Sequence, residues 1–369
     1  MNTAEDRVGW LLTLEPVGDR LVHSLYRDDG RPSLVEAKVT RDVGALAALA
    51  ARVVPSTRAG GVWSGPLVHS QDEQNAAASL GLALVPEVLR DALLAPSDAV
   101  HTVSIATRGW LASIPWDALA LTADGSTRLV ERARVAGAVS PALVANRAVR
   151  PVEGDPAAPG LAVIDPGPPV GSEPPLFPGP YPPEILAVVR DAADLHHEEG
   201  VGMSTGELTS LLMRHPSRLF YYGHLLDAGA AAPAAAALLL SEGASADRLT
   251  ARSWIAEPYR WPAPARVAIV GCAGDDAGPS EQSGLVAAAV NAGAAVTTTT
   301  RWLLPADNPT HALRATTRLA TAVHQAHRAP DVLGALRAWQ LEQLADWRSG
   351  GRPEHSPVLW SSLVTYLTP

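Results

Sequence analysis

The chain has 369 residues, 47% of them hydrophobic and 18% charged, with a formal net charge of −9. That length holds two domains or one large one, and the composition is globular, not disordered. Scattered acidic charge argues against nucleic-acid binding and against an anionic membrane surface as partner.

Residues 7–14 and 20–27 flank the turn Pro16-Val-Gly-Asp19. Two extended runs around Gly-Asp predict a β-hairpin, and residues 33–39 supply a third strand. Helical spacing marks 42–53 and 75–94, and 100–107 reads as a short buried strand. Pro115 forces a turn after Trp110-Leu-Ala-Ser-Ile114. Residues 135–139 form another strand, leading to Ser140-Pro141, an N-cap followed by proline at the first helical position. Stretches rich in Pro and Gly fill most of 150–183, interrupted by one short strand at 161–164. The first stretch predicts a boundary near residue 155, and the second a surface loop.

From Glu184 onward, predicted helices (184–195, 204–214, 247–255, 282–292) alternate with strands. The strands are Arg218-Leu-Phe-Tyr-Tyr-Gly-His224, the run Arg266-Val-Ala-Ile-Val-Gly-Cys272 and residues 294–302. Helical stretches at 308–327, 331–347 and 358–367 close the chain. Alternation of this kind predicts βαβ units and a mostly parallel sheet with helices around it. In such sheets, sites form beyond the carboxyl ends of the strands.

Two strands hand over a reactive side chain there. Cys272 is the only cysteine, so no internal disulfide exists. His224 lies about 50 residues upstream, the separation typical of caspases. A cysteine nucleophile with a histidine base fits this pair, and Gly-rich turns expose amides suited to an oxyanion. A structural thiol and a core histidine are the bland alternatives. His324 and His327 are three apart, but no third ligand with supporting spacing accompanies them, so a solvated helix face is favoured over a metal site. No phosphate loop, dinucleotide fingerprint or Gly-x-Ser-x-Gly elbow is present, and no cofactor is expected. The N-terminus lacks an apolar signal core, and no run of ~20 apolar residues exists. A cytoplasmic protein without a membrane partner is the expectation.

Read together, these segments resemble the CHAT family of caspase- and separase-like cysteine peptidases of bacteria. Tyr222-Gly223-His224 is similar to the strand end that carries the family's base, and Val270-Gly271-Cys272-Ala273-Gly274 to its nucleophile turn. Glu281-Gln-Ser-Gly-Leu285, Asn291-Ala-Gly-Ala-Ala-Val296 and Arg301-Trp302-Leu-Leu-Pro305-Ala-Asp307 resemble the elements that follow. Ile114-Pro115-Trp116-Asp117-Ala118-Leu119, Leu129-Val-Glu-Arg132 and Val139-Ser140-Pro141 resemble those upstream. Two departures stand out. Leu225 follows the histidine where the family has glycine, and the family's Glu-Thr after the cysteine is absent.

The resemblance implies a caspase-like α/β fold, a mostly parallel sheet flanked by helices. An N-terminal pseudo-peptidase half would span 1–155, and a catalytic half 156–369. It implies a Cys272–His224 dyad cleaving a protein or peptide substrate, in bacterial defence or other regulated proteolysis. Amides near Gly223, Leu225 and Gly271 would hold the oxyanion. Asp275, Asp276 and Asp307, with Asp227 near another strand exit, would favour a basic residue before the cut; turn-forming aspartates in water are the alternative. Family members often carry repeat domains that receive a signal, and this chain has none, so a separate regulatory protein is expected. The competing expectation is a catalytically silent caspase-like scaffold that binds partner proteins. A different thiol-dependent acyl transferase has no support beyond shared chemistry.

Overall fold

The computed structural model describes residues 8–28, 33–41, 43–55, 63, 65–97, 100–166, 176–177, 180–193, 195–196, 202–226, 233–241, 247–273, 279–302, 304, 307 and 314–368. They form two compact units, each an α/β arrangement of sheet and helices. One comprises Met1–Ala138 with Arg337–Val364, and the other Val139–Leu336 with Thr365–Pro369. The halves expected from family likeness divide the chain near residue 155. Compactness divides it after Ala138 and returns residues 337–364 to the first unit.

The first unit opens with β1 (Val8–Val17), β2 (Arg20–Asp28) and β3 (Ser33–Arg41), an antiparallel meander. Val17 pairs with Arg20 across a two-residue turn, and Gly18 sits there at φ +61, a conformation that favours glycine. β4 (His101–Thr107) runs parallel to β1, and β5 (Ala133–Ala138) parallel to β4. The helix expected over 75–94 is two helices, Ser70–Leu84 and Glu87–Leu94. Pro86 separates them because its ring restricts the preceding residue and removes an amide donor. Inside this unit Arg128 donates to Glu73 at 2.9 Å, both side chains being buried, and Trp347 Nε1 donates to the same Oε2 at 3.4 Å. Burial is the largest influence on Glu73 and raises its pKa, against the pull of Arg128.

In the second unit β6 (Leu161–Ile164), β7 (Arg218–Leu226), β10 (Arg266–Ala273) and β11 (Val296–Thr300) are parallel neighbours in the order β6-β7-β10-β11. The short strands β8 (Ala237–Leu239) and β9 (Arg248–Thr250) extend antiparallel from the end of β7. The helix expected over 247–255 therefore begins only at Ala251. Thr250 is its N-cap and accepts from the Ser253 amide at 3.0 Å. Ser140 takes an N-cap position before Pro141, but its hydroxyl makes no cap bond. Leu161, Leu219, Tyr221, Val267 and Ile269 build one core beneath this sheet, with helix residues Leu208, Trp254 and Leu285 packed on them.

The closing stretch 358–367 departs most from expectation. Only Pro357–Trp360 is helical, and Leu363–Leu367 is a strand, β12. The β-branched and aromatic residues of Val364-Thr-Tyr366 suit a pleated strand better than a helix. Thr365 Oγ1 meets Thr298 Oγ1 of β11 at 2.9 Å, and the Thr368 amide donates to Ala295.

Candidate active site

Parallel strands deliver their carboxyl ends to one edge, and here the register aligns the ends residue by residue. Gly271 pairs with Gly223, Cys272 with His224, and Ala273 with Leu225. On the other side of β7, Ile164 pairs with Tyr222, and the next residue, Asp165, extends the ladder by donating its amide to Tyr222 O at 2.7 Å. Three neighbouring strands thus carry Asp165, His224 and Cys272 at or near their carboxyl ends, in that lateral order.

His224 is 3% exposed, and its Nε2 stands 3.9 Å from Oδ1 of Asp165. Asp165 is buried as well, and its φ of 44 is left-handed. Aspartate is several-fold enriched among the few non-glycine residues that enter this region. Its second oxygen, Oδ2, accepts from the Phe177 amide at 3.2 Å. The Phe177 ring meets Tyr222 edge-on at 5.7 Å and Tyr181 at 5.2 Å, while Tyr181 donates to Ile164 O at 2.8 Å. The backbone of His224 is fixed separately. The Tyr221 hydroxyl reaches His224 O at 2.5 Å and Leu239 O at 2.9 Å. Gly223 leaves room for that phenol, since a methyl on it would lie 2.7 Å from the hydroxyl oxygen.

Leu225 is a regular member of the ladder, paired with Ala273 on one side and Leu238 on the other. The positive-φ residues described do not include it, so the position calls for no glycine-only conformation. Asp227, Asp275 and Asp276 lie outside the described residues. The half-buried Asp307 is hydrogen-bonded: Oδ1 accepts from the Thr316 amide at 2.9 Å, and Oδ2 from the Thr317 hydroxyl at 2.5 Å. This caps the first turn of the helix Ala315–Arg328. Burial raises the Asp307 pKa, opposed by these hydrogen bonds.

That helix also corrects the expectation for His324 and His327. Neither is on a solvated face; both are buried. Asp191 is the hub beneath them, accepting from Arg218 at 2.8 Å, Arg328 at 3.0 Å and His324 at 3.1 Å. His327 Nε2 lies 2.8 Å from Thr298 Oγ1. Burial lowers the His324 pKa to about 4, against the pull of Asp191, and the His327 pKa to about 3, with nearby arginines pushing both down. Among the described residues no cluster suited to a metal ion occurs, and no helix is long and apolar enough to cross a membrane.

Asp165 is the site residue that sequence reasoning missed. Its signal was present, because Leu161-Ala-Val-Ile-Asp165-Pro166 repeats the pattern of the other two strands: an apolar run, then a polar group at the exit.

Comparison with known proteins agrees with this fold. The CHAT domain is matched over residues 74–367. A chain of the crystal structure of the Saccharomyces cerevisiae separase–securin complex superposes with a TM-score of 0.54 at 9% identity, covering 99% of this chain. Only 30% of that chain's length is spanned, so the likeness is one of fold. No curated protein matches.

Proposed function

The chain belongs to the CHAT domain family, whose fold is that of caspase-like proteases, and from that premise we propose that it is a cysteine endopeptidase acting through Cys272 and His224. The observation carrying the proposal is the register that sets these two residues opposite each other on adjacent parallel strands, at the edge where α/β sheets bind ligands.

In the proposed reaction His224 takes the Cys272 thiol proton, and the thiolate attacks the scissile carbonyl carbon. The C–S bond forms as the carbonyl pair moves onto oxygen, where amides near Gly223, Leu225 and Gly271 receive it. Collapse breaks the C–N bond, and His224 returns the proton to the leaving amine. Water then attacks the thioester, giving a proton to His224. The acid departs and the thiol is restored. A free thiol is only a few per cent ionised near neutrality, so the histidine supplies the activation.

The substrate would be a protein in a regulated or defensive proteolytic system, with a separate protein supplying the signal. Asp275 and Asp276 would favour Arg or Lys before the cut. The test is proteolysis of proteins encoded beside the gene, compared between wild type and Cys272→Ala. Cleavage by the wild type alone is expected, and undiminished cleavage by folded Cys272→Ala would refute the proposal. One observation favours a second reading, a silent scaffold: Leu225 replaces the family's glycine. Resistance of Cys272 to iodoacetamide and peptide-ketone labels would decide for the scaffold.

A further inference from the structure

Resting on the peptidase reading of Cys272 and His224, we infer that Asp165 is a positioning residue of the same site. It holds the His224 ring in one tautomer and stabilises the ring when it carries a second proton.

Three independent features converge on this role. The first is delivery. β6 is the neighbour of β7 on the side away from β10, so Asp165 and Cys272 flank His224 from opposite sides of one sheet edge. The second is backbone conformation. At φ 44 Asp165 leaves the strand by a left-handed step. Such conformations are strained for non-glycine residues and persist where surrounding structure holds them. Here the Asp165 amide is held by Tyr222 O, and its carboxylate by the Phe177 amide. The third is burial. A carboxylate 7% exposed is costly unless hydrogen-bonded or paired, and the Phe177 amide serves Oδ2 while Oδ1 stands nearest the imidazole.

The chemistry is set by which nitrogen Asp165 addresses. With the proton kept on Nε2 toward the carboxylate, the lone pair of the neutral ring is on Nδ1. The thiol proton then passes to Nδ1: the N–H bond forms as S–H breaks. The resulting imidazolium has its positive charge beside Asp165. When the amine leaves, the same Nδ1 proton goes to it, and Asp165 gains no proton at any stage. A separation of 3.9 Å is ion-pair range. Catalytic hydrogen bonds are often long without substrate and tighten when it binds.

Because Cys272 is the only cysteine, iodoacetamide reports directly on this site. Alkylation rates against pH would be compared for wild type, Asp165→Asn, Asp165→Glu and His224→Gln, each first shown to be folded by thermal unfolding. Asp165→Asn is expected to slow alkylation near neutral pH about tenfold. It should also move the His224 limb of the profile downward by about one unit, because the imidazolium loses an opposite charge within ~4–6 Å. Asp165→Glu should restore part of both. A wild-type profile in Asp165→Asn overturns the inference. In that event His224→Gln separates the cases: if it alone slows alkylation the dyad stands without Asp165, and if it too matches wild type the peptidase reading falls as well. A second measurement needs no Asp165 variant. Ring nitrogen shifts of His224 in the wild type, assigned by their loss in His224→Gln, should show the Nε2-protonated tautomer, and the Nδ1-protonated form would overturn the inference.

Discussion

A methyl group on Gly271 would stand 2.5 Å from Cδ1 of Leu225, so the leucine side chain fills the space that the glycine leaves open. The two residues lie on neighbouring strands just beside the His224–Cys272 pair. The leucine is accommodated because its neighbour has no side chain.

This close fit predicts strong coupling. Gly271→Ala alone should destabilise by roughly 1–3 kcal/mol through overpacking, and Leu225→Ala alone by roughly 2–5 kcal/mol through loss of a buried leucine. Together they should cost less than the sum, with an interaction of about 1 kcal/mol or more. Urea denaturation of the four proteins measures it, and strict additivity would show that the close approach is unimportant.

Tyr221 is predicted to hold the histidine strand in place. Tyr221→Phe removes the hydroxyl that reaches His224 O and Leu239 O. It should cost about 1–3 kcal/mol, since buried carbonyls lose their donor. Faster hydrogen exchange at amides of β7 and β8 would accompany the loss if the hydroxyl ties these strands together.

In the first unit, the Glu73–Arg128 pair is expected to be intolerant of one-sided change. Glu73→Ala leaves a buried guanidinium without its carboxylate and should cost roughly 3–5 kcal/mol. Replacing both residues by apolar side chains of similar volume should recover much of that loss. A double replacement as unstable as the single one would contradict the expectation.

Acid should destabilise the second unit through His327. Its native pKa is lowered to about 3 by burial, from the ordinary value of 6.5. Between those values the unfolded chain binds a proton that the native state does not, so stability is intact above about pH 6.5 and falls as pH drops toward the native pKa. From pH 7 to pH 5 the loss is about 2 kcal/mol. His327→Gln should flatten this limb in denaturant melts at the two pH values, though its stability at pH 7 should fall as the buried imidazole is lost. An unchanged acid limb would remove His327 as its source.

Asp307 is expected to act on stability. Its carboxylate accepts from the Thr316 and Thr317 amides at the start of the helix Ala315–Arg328. Asp307→Ala should cost about 1–2 kcal/mol, the usual cost of removing an N-terminal cap. A peptide-library preference lost in Asp307→Ala, with thermal stability unchanged, would instead assign the carboxylate to substrate.

Much of this protein is written in local pattern. The alternation of β7 and β10 with helices, the strand ends close after His224 and Cys272, and the hairpin turn at Gly18 each obey short-range rules of periodicity and turn chemistry. These suffice to place a cysteine and a histidine on one sheet edge. Other features depend on contacts between residues distant in the chain. Residues 358–367 have enough apolar content for either a helix or a strand, and pairing of Thr365 with Thr298 selects the strand. His324 and His327 read as solvated because their helix carries many polar residues, yet Asp191 and Thr298 receive them in the interior. Asp165 belongs to the site because β6 lies beside β7, and strand order within a sheet is set by how the crossovers pack, which no local window encodes. The chain by itself determined which groups could react. Folding decided which carboxylate stands beside the histidine, because only packing brings the ends of three separate strands together.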